Sequence, residues 1–359
     1  MIGTTAMVLP PREGFAAGSA GAIGLLVHTL ARRAGGFVVG AAQEAFGDVR
    51  FVAARPSWFP GSFARRYAGG VAAALRRERP ALIEVHNRPD VASFLARRFA
   101  DTPVTLFLHN DPGGMRRARS AAERAALAAR LARVVTVSAH LRERFGAAAV
   151  VLPNSIDLDT VPSAAKERAI LFVGRVVSDK GADSFVAACA LALPRLPGWR
   201  AEMIGADRFG AGHRDTPWIA ALRPRAAAAA VAMPGYLPHA QVLAAMARAA
   251  IVVVPSRWDE PFGMTALEAM ACGAALLYAP RGGLAEVAGD VGVPIDPEDP
   301  ADIAEALVAL ADDPGRLAAL GEAGRARARR FDIVAGAARL AALRSDVLEA
   351  WSRRRAHPI

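Results

Sequence analysis

The stretch "AAIVVVPSRWDEPFGMTALEAMACGAALLYAP", residues 249–280, reads as a strand, a loop, a helix and a second strand. "AAIVVVPS" is β-branched and nearly continuous in apolar character, as a strand buried on both faces requires. Pro261 and Gly263 in "RWDEPFG" interrupt it. "MTALEAMACG" has helical spacing, with Gly273 placed to close the helix. "AALLYAP" resumes the strand pattern.

The alternation continues in both directions. "AMVLPP", "GFVVGAA", "VRFVAA", "ALIEVHN", "VTLFLHN" and "RVVTVS" read as strands in the first half, and "AILFVGR" and "RAEMIGA" in the second. Segments such as "GAIGLLVHTLARRA" and "ADSFVAACALALPRL" have helical period between them. Repeated strand–helix alternation implies an α/β protein of two doubly wound, Rossmann-like domains. A chain of 359 residues also suits two cores better than one. The break is expected at "LPNSIDLDTVPSAAKER", residues 152–168, giving domains 1–160 and 161–334. A helical tail, 335–359, follows and is free to cross back to the first domain.

The net charge of +10 is unevenly spread. Residues 1–160 carry 21 Arg and 12 acids, a net of +9, against +1 for the remainder. A basic half attracts an anionic glycan, a lipid-linked acceptor or an anionic membrane face. Aromatics are only 6% of the chain, which argues against a stacking platform for nucleic acid. Two distant thiols, Cys189 and Cys272, suit a reducing compartment. No apolar run reaches the ~18 residues of a spanning helix, and no signal peptide opens the chain. A cytoplasmic location, at or near the inner face of the cytoplasmic membrane, is the expectation. No cluster has metal-ligand spacing, so no metal is implied.

In doubly wound sheets, ligands bind beyond the carboxyl ends of the strands. The polar residues there are Arg12, Glu13, His86, Asn87, His109, Asn110, Asp111, Arg175, Asp207, Arg208 and Ser256 to Glu260. Free amides of Phe262, Gly263, Met264 and Thr265 at a helix start would suit an anion. Glu260 and Glu268 could face one ligand from two sides, or could simply flank a capped helix. In "FVGRVVSDKGAD", Gly174 ends a strand, Arg175 follows, and Lys180 opens the next helix. Only Lys166 and Lys180 are lysines, against 42 arginines. An ammonium kept at that junction could grip a phosphate. Gly14, Gly18 and Gly21 form a glycine-rich first loop without the full dinucleotide fingerprint. "MRRARSAAERAALAARLARV", residues 115–134, reads as a basic amphipathic helix.

Together, "PPREGFAAGSAGAI", "LHND", "VTVSAHLRERF", "VLPNSID", "ILFVGRVVSDKGAD", "PGYLP", "VVPSRWDEPFGMTALEAMACG" and "RGGLAEVAGDVGVPIDPEDPADIAEAL" resemble the retaining glycosyltransferases of family 4, in that family's order. The resemblance implies a GT-B fold, two Rossmann-like domains facing each other across a cleft. It implies a nucleotide-sugar co-substrate and no metal or other cofactor. Arg175 and Lys180 would hold the diphosphate, near Gly174. Glu268 would take the ribose hydroxyls. Glu260, Pro261 and the amides of Phe262 to Thr265 would hold hexose and phosphate. His109 would sit beside the reacting carbon, and Gly18 and Gly21 would help close on the donor. His86, Asn87, Asn110 and Asp111 are assigned to the acceptor.

The expected activity is hexosyl transfer with retention, in envelope or exopolysaccharide synthesis, with UDP favoured over GDP. An epimerase or hydrolase of the same fold, or a non-catalytic nucleotide-binding scaffold, stays open. Nucleic acid is not an expected partner.

Overall fold

Each β-branched run forms a strand because its side chains find apolar partners on both faces of a parallel sheet. The computed structural model describes residues 4–57, 62–146, 148–207 and 215–356. Arg208 lies outside the described residues. The chain divides into two units, Met1–Ser155 with Ile333–Ile359, and Ile156–Asp332.

The first unit carries strands β1 (Thr5–Val8), β2 (Phe37–Ala41), β3 (Phe51–Ala54), β4 (Leu82–His86), β5 (Val104–Leu108), β6 (Arg133–Thr136) and β7 (Val150–Val151). All run parallel, in the order β3-β2-β1-β4-β5-β6-β7. Its helices are α1 (Ala22–Ala34), α2 (Phe63–Glu78), α3 (Pro89–Arg98), α4 (Ala121–Arg130) and α5 (Ala139–Phe145).

The second unit carries β8 (Glu167–Val173), β9 (Arg200–Ile204), β10 (Val231–Gly235), β11 (Ala249–Val254), β12 (Ala275–Tyr278) and β13 (Val293–Pro294). They too are parallel, in the order β10-β9-β8-β11-β12-β13. Helices α6 (Ala182–Ala192), α7 (Pro217–Ala228), α8 (His239–Arg248), α9 (Met264–Ala271), α10 (Leu284–Ala288), α11 (Pro300–Ala311) and α12 (Pro314–Ala328) cover it. Helix α13 (Ile333–Ala356) then belongs to the first unit, where it packs on α1.

Alternation along the strands sends side chains to two separate cores. Ile83, Val85 and Leu106 pack with Tyr67, Val71 and Leu95 of α2 and α3. Met7, Val38 and Phe107 pack on the other face with Val27 and Leu30 of α1 and Leu340 of α13. Each fully buried leucine contributes roughly 1.5–3 kcal/mol.

One polar pair interrupts the apolar pattern. Arg344 of α13 reaches Glu84 of β4 with two bonds, Nε to Oε1 at 2.9 Å and Nη2 to Oε2 at 2.8 Å. Its Nη1 donates to the carbonyls of Ala34 and Gly35, ending α1. Both side chains are almost fully buried. The pair therefore ties helix, strand and helix together.

The basic segment 115–134 is a shorter helix than its composition suggests. Ser120 accepts from the Glu123 amide, and Glu123 accepts from the Ser120 amide. This capping box fixes the helix start at Ala121. Residues 115–120 stay non-helical, and Arg133 already lies in β6.

The strand order reverses between β1 and β4 in one sheet, and between β8 and β11 in the other. Crevices for ligands open at such switch points, beyond the strand ends.

Candidate functional site

In the second unit, β8 ends at Val173, Arg175 follows, and the turn Ser178–Lys180 leads to α6. Beyond the neighbouring β11 come Ser256 to Glu260. Arg257 staples these two loops. Its guanidinium binds Asp183 in two bonds, at 2.8 and 3.1 Å, and both Ser178 and Ser184. Its amide also donates to the Asp179 carbonyl. Gly181 makes the approach possible. It adopts φ +68°, and a Cβ there would lie 2.0 Å from the Pro255 carbonyl oxygen.

The staple sets Lys180 against Glu260. Lys180 Nζ stands 2.5 Å from Glu260 Oε1, and Ser256 Oγ donates to that oxygen at 2.5 Å. Glu260 is 6% exposed. Lys180 Nζ also lies 4.8 Å from the centre of the Trp258 ring, a cation–π contact. The Glu260 carbonyl accepts from the Gly283 amide at 2.7 Å, anchoring the loop beyond β12. Arg175 is partly buried and has no ion pair among the described residues.

Helix α9 starts directly behind this pair. Gly263, at φ +108°, precedes Met264. The first turn closes through the amides of Ala266 and Leu267 on the Gly263 carbonyl. The amides of Met264 and Thr265 thus precede the first closed turn, at the positive end of the helix dipole. Phe262 is buried edge-on against Phe331, 5.7 Å between ring centres, which fixes the entry of the helix. Pro261 is buried beside it.

Glu268, on the second turn of α9, accepts a 2.7 Å hydrogen bond from His239 Nε2 at the start of α8. That bond, helped by the Glu268 charge and opposed by burial, raises the His239 pKa. His239 escaped the sequence reading, although it follows "PGYLP" directly. Trp258 was also passed over, inside the quoted "RWDE".

The first unit carries the other candidates. His86 ends β4 and His109 follows β5. The register pairs His86 with Phe107, so the two imidazoles share one face. His86 Nδ1 lies 3.0 Å from His109 Nε2, and the rings stack 5.3 Å apart. Burial lowers the His109 pKa to about 4, and that of His86 falls well below the ordinary value. Both rings are neutral at pH 7. His86 Nε2 is buried without a partner. An unsatisfied acceptor is less costly here than a stranded N–H. The favoured tautomer therefore has His86 Nδ1–H donating to His109 Nε2.

This placement changes the reading of His86, assigned to the acceptor, and gives Asn87 a structural bond beside that assignment. His86 is 0% exposed and touches His109, so no acceptor reaches it. Asn87 adopts φ +56°, and its Oδ1 accepts from the amides of His109 and Asn110. Both residues brace the end of β5. Asp111 caps the short turn at Pro112–Gly114 and pairs with Arg144 at 2.7 Å. Asn110 is exposed.

The glycine loop is partly committed to its own chain. Glu13 Oε1 accepts from the Gly24 amide at 2.8 Å, at the start of α1. Burial raises the Glu13 pKa. A Cβ on Gly21 would lie 2.7 Å from that carboxylate. Gly18 is exposed at φ +85°.

Two family models match. "Glycosyl transferases group 1" covers residues 157–327, and "Glycosyltransferase Family 4" covers residues 24–160. Between them the two models match residues 24–327, so the chain is glycosyltransferase family 4-like. The chain is 35% identical over 191 residues to a D-inositol 3-phosphate glycosyltransferase of Thermobispora bispora, covering 52% of the chain and 44% of the relative. It is 34% identical over 212 residues to a glycogen synthase of Mycobacterium tuberculosis, covering 54% and 49%. The chain thus spans about half the length of the curated relatives it matches.

Among solved structures, HepE of Anabaena in complex with UDP superposes with a TM-score of 0.78 at 20% identity, over 96% of this chain and all of that one. Sucrose-phosphate synthase of Thermosynechococcus elongatus gives 0.79 at 20%, over 97% and 100%. The fold is GT-B.

Proposed function

We propose that this chain transfers a hexosyl group from a nucleotide-sugar to a glycan or lipid-linked acceptor with retention of configuration. The observation that carries the reading is the Lys180–Glu260 pair held beside the open amides of α9, with Glu268 on the same helix. A cation, a buried carboxylate and a helix start within one crevice suit a ligand that is anionic at one end and rich in hydroxyls at the other.

Lys180 and Arg175 take the diphosphate and stabilise it as it leaves. Glu260 uses Oε1 for Lys180 and Ser256, which leaves Oε2 for a hexose hydroxyl. Glu268 takes the ribose hydroxyls. His109, neutral and aligned by His86, offers its remaining nitrogen to the sugar. The bond from C1 to the phosphate oxygen breaks, and the acceptor oxygen bonds to C1 from the same face. The acceptor proton passes to the departing phosphate. Positioning and electrostatic stabilisation of the leaving group supply the catalysis, without a metal.

UDP is the favoured nucleotide; a neighbour solved with UDP supports it. The basic first half favours an anionic acceptor, and a relative named for an inositol phosphate agrees with that. A cytoplasmic setting near the inner membrane face follows from such an acceptor, and its products would enter envelope or exopolysaccharide synthesis.

The test is thermal stabilisation across UDP, GDP and ADP, followed by transfer from the matching nucleotide-glucose. A ligand at 100-fold its Kd stabilises by about 2.7 kcal/mol. UDP should raise the Tm most. A flat panel would remove the donor assignment. Donor consumption without any acceptor, yielding free sugar, would favour hydrolysis over transfer.

A further inference from the structure

The donor crevice absorbs Lys180 and leaves Lys166, the only other lysine in the chain. Lys166 lies just before β8, at the amino-terminal edge of the second sheet. Its stem is exposed, but its ammonium turns inward. Nζ donates to the carbonyl of Met246 at 3.2 Å and to that of Cys272 at 2.9 Å. Met246 lies in the last turn of α8, and Cys272 caps α9. These are the helices that carry His239, at the far end of α8, and Glu268, within α9.

Lys166 also lines a cavity of about 610 Å³, within the size range of small-ligand sites. Arg168 and Arg325 line it as well, and neither has an ion-pair partner among the described residues. Trp199, Leu196 and Leu317 supply apolar wall. Of the two lining acids, Glu167 is already engaged by Arg200 and Arg248, which leaves Asp312 facing the cations, and the lining Arg195 is paired with Glu305. The cavity therefore offers an indole side chain and an excess of positive charge, with Lys166, Arg168 and Arg325 set against Asp312. Burial lowers the Lys166 pKa to about 8, with the Arg325 charge pushing the same way. An anion placed here would relieve that repulsion.

We infer that this cavity is a second ligand site, separate from the donor crevice, for an organic anion with a flat apolar body. The anion meets Lys166, Arg168 and Arg325, and the body lies along Trp199 and the leucines. Lys166 has two of its three protons on carbonyls, so one remains for the ligand. The sheet lies between this cavity and the carboxyl ends of its strands, so nucleotide and second ligand do not compete.

Two lysines make the test direct. Protein labelled with 13C-lysine gives two Cε signals, assigned with Lys166→Arg. The probe is 1-anilinonaphthalene-8-sulfonate, and its control is N-phenyl-1-naphthylamine, which lacks the sulfonate. The sulfonate should shift the Lys166 signal saturably and move its titration toward the ordinary lysine value. The Lys180 signal should stay in place. UDP should not displace the probe. The uncharged control should bind at least tenfold more weakly, and Arg325→Gln should weaken the sulfonate by a similar factor. The proposal is overturned if the sulfonate leaves Lys166 unmoved, if the control binds equally, if Arg325→Gln binds as tightly as the parent, or if UDP competes. UDP acting on the Lys180 signal reports separately on the donor reading.

Discussion

Lys180 Nζ and Ser256 Oγ both lie 2.5 Å from one oxygen of Glu260. The protein therefore holds this cation against a buried carboxylate. Lys180→Ala should abolish most turnover and also leave Glu260 buried without its countercharge. The two effects separate in a double-mutant cycle. Lys180→Ala should cost less stability in a Glu260→Gln background, with a coupling of roughly 0.5–3 kcal/mol. Urea unfolding measures it. Zero coupling would mean that the pair is incidental. The double variant should recover stability and remain inactive.

Arg344 and Glu84 give a prediction of the opposite kind, structural and remote from ligand. Arg344→Leu leaves a buried carboxylate and the carbonyls of Ala34 and Gly35 without a donor. Breaking a buried pair this way costs about 3–5 kcal/mol. Replacing both partners by leucine should restore much of it, because two apolar groups leave no charge stranded. Thermal denaturation of the two variants decides; equal losses would refute the account.

The same contrast explains what was legible in the sequence. The long β-branched runs announced their strands because those strands are buried on both faces. Strands β7 and β13 have two residues each, and β10 is an edge strand interrupted by Pro234. Edge strands need no continuous apolar run, and proline is tolerated there, so the pattern was silent. Lys180, Glu260 and Glu268 stand out in the sequence as candidates because each sets a charge against its local composition. Their partners do not. Nothing in "PGYLPH" says that His239 meets a residue 29 positions later. Likewise, the sequence assigns His86 to the acceptor and His109 to the reacting carbon, with nothing to join them. Only the register of β4 on β5 shows that one ring positions the other.

The His86–His109 pair should make the fold acid-sensitive above the range where carboxylates titrate. Both pKa values are depressed by burial. An unfolded histidine takes up its proton near pH 6.5, and these rings do not. Their contribution is complete above pH 6.5 and is lost as pH falls toward the folded value. For His109, with a pKa of about 4, the loss by pH 5 is about 2 kcal/mol. Urea midpoints at pH 7.5 and 5 should therefore draw together in His109→Gln. An unchanged difference would place the acid sensitivity elsewhere. Because His109 stays neutral, it should add no limb near pH 6.5 to the rate profile.

His239 should act in the opposite direction and in a higher window. The hydrogen bond that His239 donates to Glu268, reinforced by the carboxylate's charge, raises the His239 pKa against the effect of burial. A raised histidine pKa stabilises fully below pH 6.5, and the contribution fades as pH rises through the folded value. The Tm gap between the parent and His239→Gln should therefore be wider at pH 6 than at pH 8.5. Ligand binding adds a second readout. If the ribose hydroxyls take Glu268 Oε1, UDP must displace His239, and this is harder while His239 is charged. UDP affinity of the parent should then fall from pH 8.5 to pH 6 more steeply than that of His239→Gln. Titrating both proteins with UDP cancels the nucleotide's own phosphate protonation. Parallel pH profiles would separate Glu268 from the ribose and leave it as the partner of His239 alone.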